Sequence, residues 1–140
     1  MNIKARNIAK FFYEKNNELT EKQLQKLTYY TYVWYLIKFK QRLFNESPQA
    51  WIHGPVFMSL YKDIKNNNLA TAESIDLEKN KDIKLVLEVV DKYYGKYSGN
   101  DLERMTHSEM PWKNARKGLR ATEKSQNKIS DKDILEYYGV

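Results

Sequence analysis

Residues 29–37 read YYTYVWYLI, nine consecutive positions without a charge, a glycine or a proline. As a helix this stretch is apolar or aromatic on every side, and such a helix has to be surrounded by protein. Tyr, Val and Trp also favour strands, so a nine-residue β-strand is the rival reading. Leu24, Leu27, Tyr30, Trp34 and Ile37 follow one another at helical spacing and favour the helix. Thr20, with Gln23 three residues on, has the spacing of a capping box and marks the start. The expectation is a central helix over 20–42, with a single apolar stripe at first and enclosure from Tyr29 onward.

The remaining segments supply elements to surround it. Residues 3–16 set Ile8, Phe11 and Phe12 against a basic face, an amphipathic helix. Phe44–Pro48 breaks the helix, and a short extended piece before Gly54 leads into a helix over 55–66 with Pro55 at its first position. Residues 67–79 read as a surface loop with room for a short strand. Ile83, Val86, Leu87, Val90 and Tyr94 form one stripe of a helix over 80–94, with Gly95 at its C′ position. Ser98 and Asp101 start a shorter helix with Leu102 and Met105 inward, Pro111 begins another through Arg116, and Ser130 with Asp133 caps a last one through Tyr138. Residues 117–129 read as a polar, basic loop. The fold class is therefore mainly α: a single domain over 1–140, of six or seven helices, with room for one small β element near 43–53.

Composition narrows the function. The chain has no Cys, which removes disulfides, thiolate nucleophiles and Cys-ligated zinc. Its first residues lack the apolar run of a signal peptide, and no segment approaches a membrane span, so a cytoplasmic protein is expected. The net charge of +6 favours an acidic partner, protein or nucleic acid. The five glycines are scattered and form no phosphate loop.

Residues 106–112, THSEMPW, place His107, Glu109, Pro111 and Trp112 close together. His and Glu two residues apart on a helix point in different directions. A zinc site would need His53 and His107, the only two histidines, together with carboxylates such as Glu109 or Glu46, and no spacing demands it. No elbow motif surrounds Ser59 or Ser108. No catalytic residue, metal site or cofactor is assigned, and a non-enzymatic protein is expected. The structural reading makes THSEMPW a corner: Thr106 or Ser108 caps the next segment, His107 bonds a nearby carbonyl or carboxylate, and Trp112 fills a gap in the core. After it, Lys113, Arg116, Lys117, Arg120, Lys124 and Lys128 stand against one acid, Glu123. With Tyr137 and Tyr138 these are candidates for partner contact, including phosphate contact and base stacking.

Several stretches taken in order resemble the Panacea domain, the SocA-like antitoxin family often found in prophages. They are LQKLTYYTYVWYL at 24–36, LF…QAWIHGPV between 43 and 56, THSEMPW leading into KNARKG at 106–118, and ISDKDILEYY at 129–138. The resemblance implies a small, mainly helical, non-enzymatic antitoxin that binds a toxin encoded beside it. Toxins paired with the family are varied, including small alarmone synthetases and translation or membrane poisons. One member acts as a proteolytic adaptor. Members with an added DNA-binding domain are longer than this chain. A phage inhibitor of a host protein or defence system is a variant of the same binding role, and nucleic-acid binding is the alternative. Thr31-Tyr32 stand where the family carries a small residue or Gln, which makes the central helix here more aromatic. Trp51, His53, Gly54 and Pro55 would form one signature corner, and His107, Glu109, Pro111 and Trp112 the other. Each sets an aromatic beside a His and a Pro, so the two are expected to pack together.

Overall fold

The charge-free segment is a helix. In the computed structural model, which describes residues 1–139, α1 (Ala5–Lys15) is followed by α2 (Glu21–Phe39), and α2 is the axis of the molecule. Thr20 accepts from the Gln23 backbone N–H, and the Gln23 side chain returns to the Thr20 N–H, so the capping box is present. At the other end Lys40 takes the left-handed conformation and its N–H closes on Leu36 O, stopping the helix at Phe39 rather than 42. Every residue from Leu24 to Val33 is buried, so the single stripe expected at the start of α2 is replaced by full enclosure from Leu24. The polar members Gln25, Lys26 and Thr28 are enclosed because a small hairpin and a later helix cover that side.

That hairpin is β1 (Gln49–Trp51) and β2 (Gly54–Val56), antiparallel, with Ala50 opposite Pro55. The small β element expected near 43–53 is thus two strands that reach Val56. Pro55 lies in β2 and does not open a helix; α3 begins three residues later, at Met58–Lys65. A proline is tolerated here because it sits in an edge strand. The loop after Ala115 returns to the hairpin's outer side, where Ala50 N–H bonds Asn127 O and Ile129 N–H bonds Pro48 O, both at 2.8 Å. No strand forms in 67–79. α4 (Lys81–Tyr94) buries Ile83, Val86, Leu87 and Val90 against α2, as the stripe requires. Gly95 ends it in the right-handed conformation, so the expected left-handed glycine cap is absent.

α5 (Gly99–His107), α6 (Met110–Ala115) and α7 (Asp131–Tyr137) complete the seven helices of the described residues. Ser98 and Ser130 each accept the N–H expected of them, from Asp101 and Asp133. Pro111 sits in the first turn of α6. The result is a mainly α single domain: α2 touches α1, α3, α4, α5, α7 and β2, and one continuous core surrounds it. Among the described residues no helix is long and apolar enough to cross a membrane.

Candidate functional site

The two corners meet. Trp112 Nε1–H donates to Trp51 O at 2.9 Å, and the His107 ring stacks on Trp112 at 3.9 Å between centroids. Burial pushes the His107 imidazole below its ordinary value, and its Nε2 is buried without a hydrogen-bond partner. The caps expected of Thr106 and Ser108 do not form: their hydroxyls donate backward to Glu103 O and Met105 O, and Glu109 is the residue before α6. His107 and Glu109 diverge, as their spacing dictates. Among the described residues, no group of three or more His, Cys, Asp or Glu could hold one metal ion.

Beneath the corner lies a buried lysine. Lys26 is 2% exposed, and its Nζ donates to Pro55 O at 3.1 Å. Burial lowers its pKa from 10.5 to about 7, opposed by the nearby Glu103 carboxylate. Its stem passes directly under Gly54, where an added Cβ would come within 2.6 Å of Lys26 Cε and 3.0 Å of Thr106 Oγ1. Gly54 also holds φ at +113°, so both the turn and the close approach require glycine. Above this lysine, Glu103 bridges Lys22 at 2.6 Å and His53 at 3.3 Å. His53 itself is exposed.

Glu109 faces the other way, into the aromatic core. Its carboxylate accepts from Tyr30 at 2.8 Å and from Tyr138 at 2.9 Å. Burial raises its pKa, and the two hydroxyls act against that rise. Tyr30 stacks on Tyr94 at 4.1 Å, and the Tyr94 hydroxyl accepts from Trp34 Nε1. Two further tyrosines of α2 repeat the pattern: Tyr32 donates to Asp131 on α7 and Tyr35 to Asp82 on α4, each at 2.6 Å. Arg42 also reaches the Tyr32 oxygen, at 2.9 Å. Tyr30, Tyr32 and Tyr35 of α2 thus send their hydroxyls to carboxylates on three other segments, while the Tyr29 hydroxyl is buried without a protein partner.

A scan of family models matches residues 24–113 to the antitoxin SocA-like Panacea domain. The match spans α2 to most of α6, well over half of the chain, and includes both corners. The chain belongs to the SocA-like antitoxin family. No curated protein and no solved structure matches it. α1 and α7 lie outside the matched stretch, although Tyr138, at the end of α7, closes the Glu109 cluster. The extra aromatic character at Thr31-Tyr32 belongs to the core of this family member, since both residues are fully buried.

In this SocA-like domain the basic stretch divides. Arg116 is 6% exposed, and its guanidinium donates to Ala50 O, Arg120 O and Glu123 O. It is a clamp between α6, β1 and the returning loop, which removes it from the partner-contact candidates. Tyr138 is likewise committed, with its hydroxyl on Glu109 and its ring on Trp34. Lys113, Lys117, Arg120 and Lys124 are exposed, as is Tyr137. Lys124 also lines a mostly apolar cleft of about 330 Å³ with Trp51, Ile52, His53 and Val56.

One exposed apolar feature has no counterpart among the sequence expectations. Leu85, Val89 and Tyr93 are 45%, 38% and 58% exposed and follow each other four apart along α4. Between them and α2 runs a groove with Trp34 on its floor, made of two clefts of about 440 and 190 Å³ that share Trp34 and Val89. Tyr137 extends the apolar ground through Tyr138, whose ring lies 5.1 Å from Trp34. The sequence signal was there: Leu85 and Val89 fall off the stripe that Ile83 to Val90 bury, so α4 has more apolar residues than one buried face can use.

Proposed function

We propose that this SocA-like chain neutralises a cognate toxin by binding it directly, without chemistry on the toxin. The observation that carries the reading is the apolar ground around Trp34. Exposed Leu85, Val89, Tyr93 and Tyr137 gather along one side of the domain. Clustered apolar exposure of this kind marks a protein-binding face, whereas isolated exposed residues do not. Occlusion of a toxin through such a face calls for an interface above about 1,000 Å². The exposed cations Lys113, Lys117, Arg120 and Lys124 support encounter with an acidic toxin surface.

The test is co-expression with the protein encoded beside this one. Growth arrest by the neighbour alone, relieved by this chain and accompanied by a stable complex on gel filtration, is the expected result. A neighbour that is harmless by itself, or arrest that this chain does not relieve, overturns the reading. A complex that forms but leads to loss of the toxin only when a cytosolic protease is present would make the chain an adaptor for proteolysis.

A further inference from the structure

The groove between α2 and α4 has a shape and a rim that select one kind of occupant. Its ridge is Leu85, Val89 and Tyr93, spaced i, i+4 and i+8, and it spans about 12 Å at the helical rise. Its floor is Trp34, and Tyr97 and Met105 close one end. At the other end stands Lys38, and Lys92 lies over the Tyr93 ring at 5.4 Å. Lys96 is exposed beside Tyr97. Of the three acids on α4 two are engaged: Asp82 accepts from Tyr35, and Asp91 pairs with Lys15 at 3.5 Å. Glu88 is the remaining exposed acid of this helix, so the rim is basic on balance.

We propose that this groove receives an amphipathic helix of the toxin, with apolar anchors along one face and acidic residues beside them. The inference rests on the antitoxin reading above and adds the occupant to it. A straight apolar ridge about two turns long with a furrow beside it matches the anchors of a helix laid into a groove. The rim charge decides the flanks: Lys38, Lys92 and Lys96 are complementary to acids and repel a basic partner. The same charges oppose a second copy of this chain, because a two-fold pairing would bring those lysines against themselves on a chain of net charge +6.

The experiment compares variants in the rescue and binding assays with the co-encoded protein. Val89→Glu and Leu85→Glu change exposed positions, and unchanged circular dichroism and melting temperature verify that they fold. Each is expected to weaken the complex by at least about 30-fold. Lys38→Glu with Lys92→Glu is expected to slow association several-fold at low salt, with the difference disappearing at high salt. Hydrogen exchange then identifies the toxin segment protected by the complex, and a synthetic peptide of that segment is expected to gain helical ellipticity on adding the antitoxin. If rescue is normal and both glutamate variants bind as the unaltered protein does, the groove is not the site, although the antitoxin reading stands. If the protected peptide binds without becoming helical, the helix is refuted. If sedimentation shows this chain alone to be a dimer that Val89→Glu dissociates, a second copy covers the groove and the proposal falls. If no rescue occurs at all, the antitoxin reading fails and the inference with it.

Discussion

Replacing Lys26 by methionine tests the physical account of the corner. The side chain is of similar volume, so the packing under Gly54 survives, while the buried amine and its bond to Pro55 O are removed. Burial lowers the folded pKa from 10.5 to about 7. Above about pH 7 the folded lysine gives up its proton, whereas the unfolded chain keeps its own up to about 10.5. Between those limits the unfolded state binds more protons, so stability rises with pH, and below about 7 both states are protonated and the slope vanishes. The full slope is about 1.4 kcal/mol per pH unit. Because the folded lysine is half protonated near pH 7, the gain from pH 7 to 9 comes to about 2 kcal/mol. Urea unfolding at pH 7, 8 and 9 reads this directly. The unaltered protein should gain about 2 kcal/mol across the range relative to Lys26→Met, at constant m-value. The variant loses about 1 kcal/mol with its hydrogen bond, so its relative standing is best at pH 7 and worst at pH 9. Parallel stability profiles for the two proteins would refute the buried neutral lysine.

Other substitutions probe the same frame. Gly54→Ala combines a φ of +113° with an overlap on Lys26 and Thr106, and should cost about 2–4 kcal/mol in chemical denaturation. Tyr30→Phe removes one of the two donors to Glu109 and should cost about 2 kcal/mol, whereas Tyr29→Phe should be neutral or stabilising by up to about 1 kcal/mol, because the Tyr29 hydroxyl is buried without a protein partner. Arg116→Lys keeps the charge but loses the fork that spans three carbonyls, so about 2–3 kcal/mol should be lost in thermal melts. Neutralising Lys113, Lys117 and Lys124 together should leave stability unchanged and lower the association rate with the toxin at low salt in stopped-flow mixing.

The fold was legible where local chemistry decides it. The capping serines and Thr20, the α4 stripe and Pro111 in the first turn of α6 depend on neighbours within one or two helical turns, and all appear as the residues require. Where long-range contacts decide, the sequence misled. The start of α2 read as a single apolar stripe because nothing local encloses its other sides; the hairpin and the residue after it, about thirty residues later, supply the partners of Gln25 and Lys26. Pro55 read as a helix start, but Ala50 pairs it into a strand. Arg116 and Tyr138 read as surface contacts because charge and hydroxyl are usually solvated, and here each finds a buried acceptor. Of the candidate site, the meeting of the two corners was legible from composition, while the exposed ridge of α4 was hidden inside a helix whose buried stripe drew all the weight.

The hairpin shows why so many polar residues gather at the signature. Two strands of three residues make a marginal unit by themselves. Side chains from two helices and from the residue after α6 hold its backbone instead: Arg116 takes Ala50 O, Trp112 takes Trp51 O and Lys26 takes Pro55 O. Gln25 completes the set by holding both the N–H and the carbonyl of Phe57. Each of these donors ends on the chain's own carbonyls, so Lys26, Trp112 and Arg116 frame the hairpin. Glu109 extends the same logic inward, tying the start of α6 to Tyr30 of the central helix and to Tyr138 at the end of α7. The groove along α4 stands outside this network. Its floor Trp34 has its N–H satisfied by Tyr94, and Leu85 and Val89 have no polar atoms on their side chains to satisfy. A hydrogen-bonded frame with an exposed apolar ridge on one side suits the binding role proposed above.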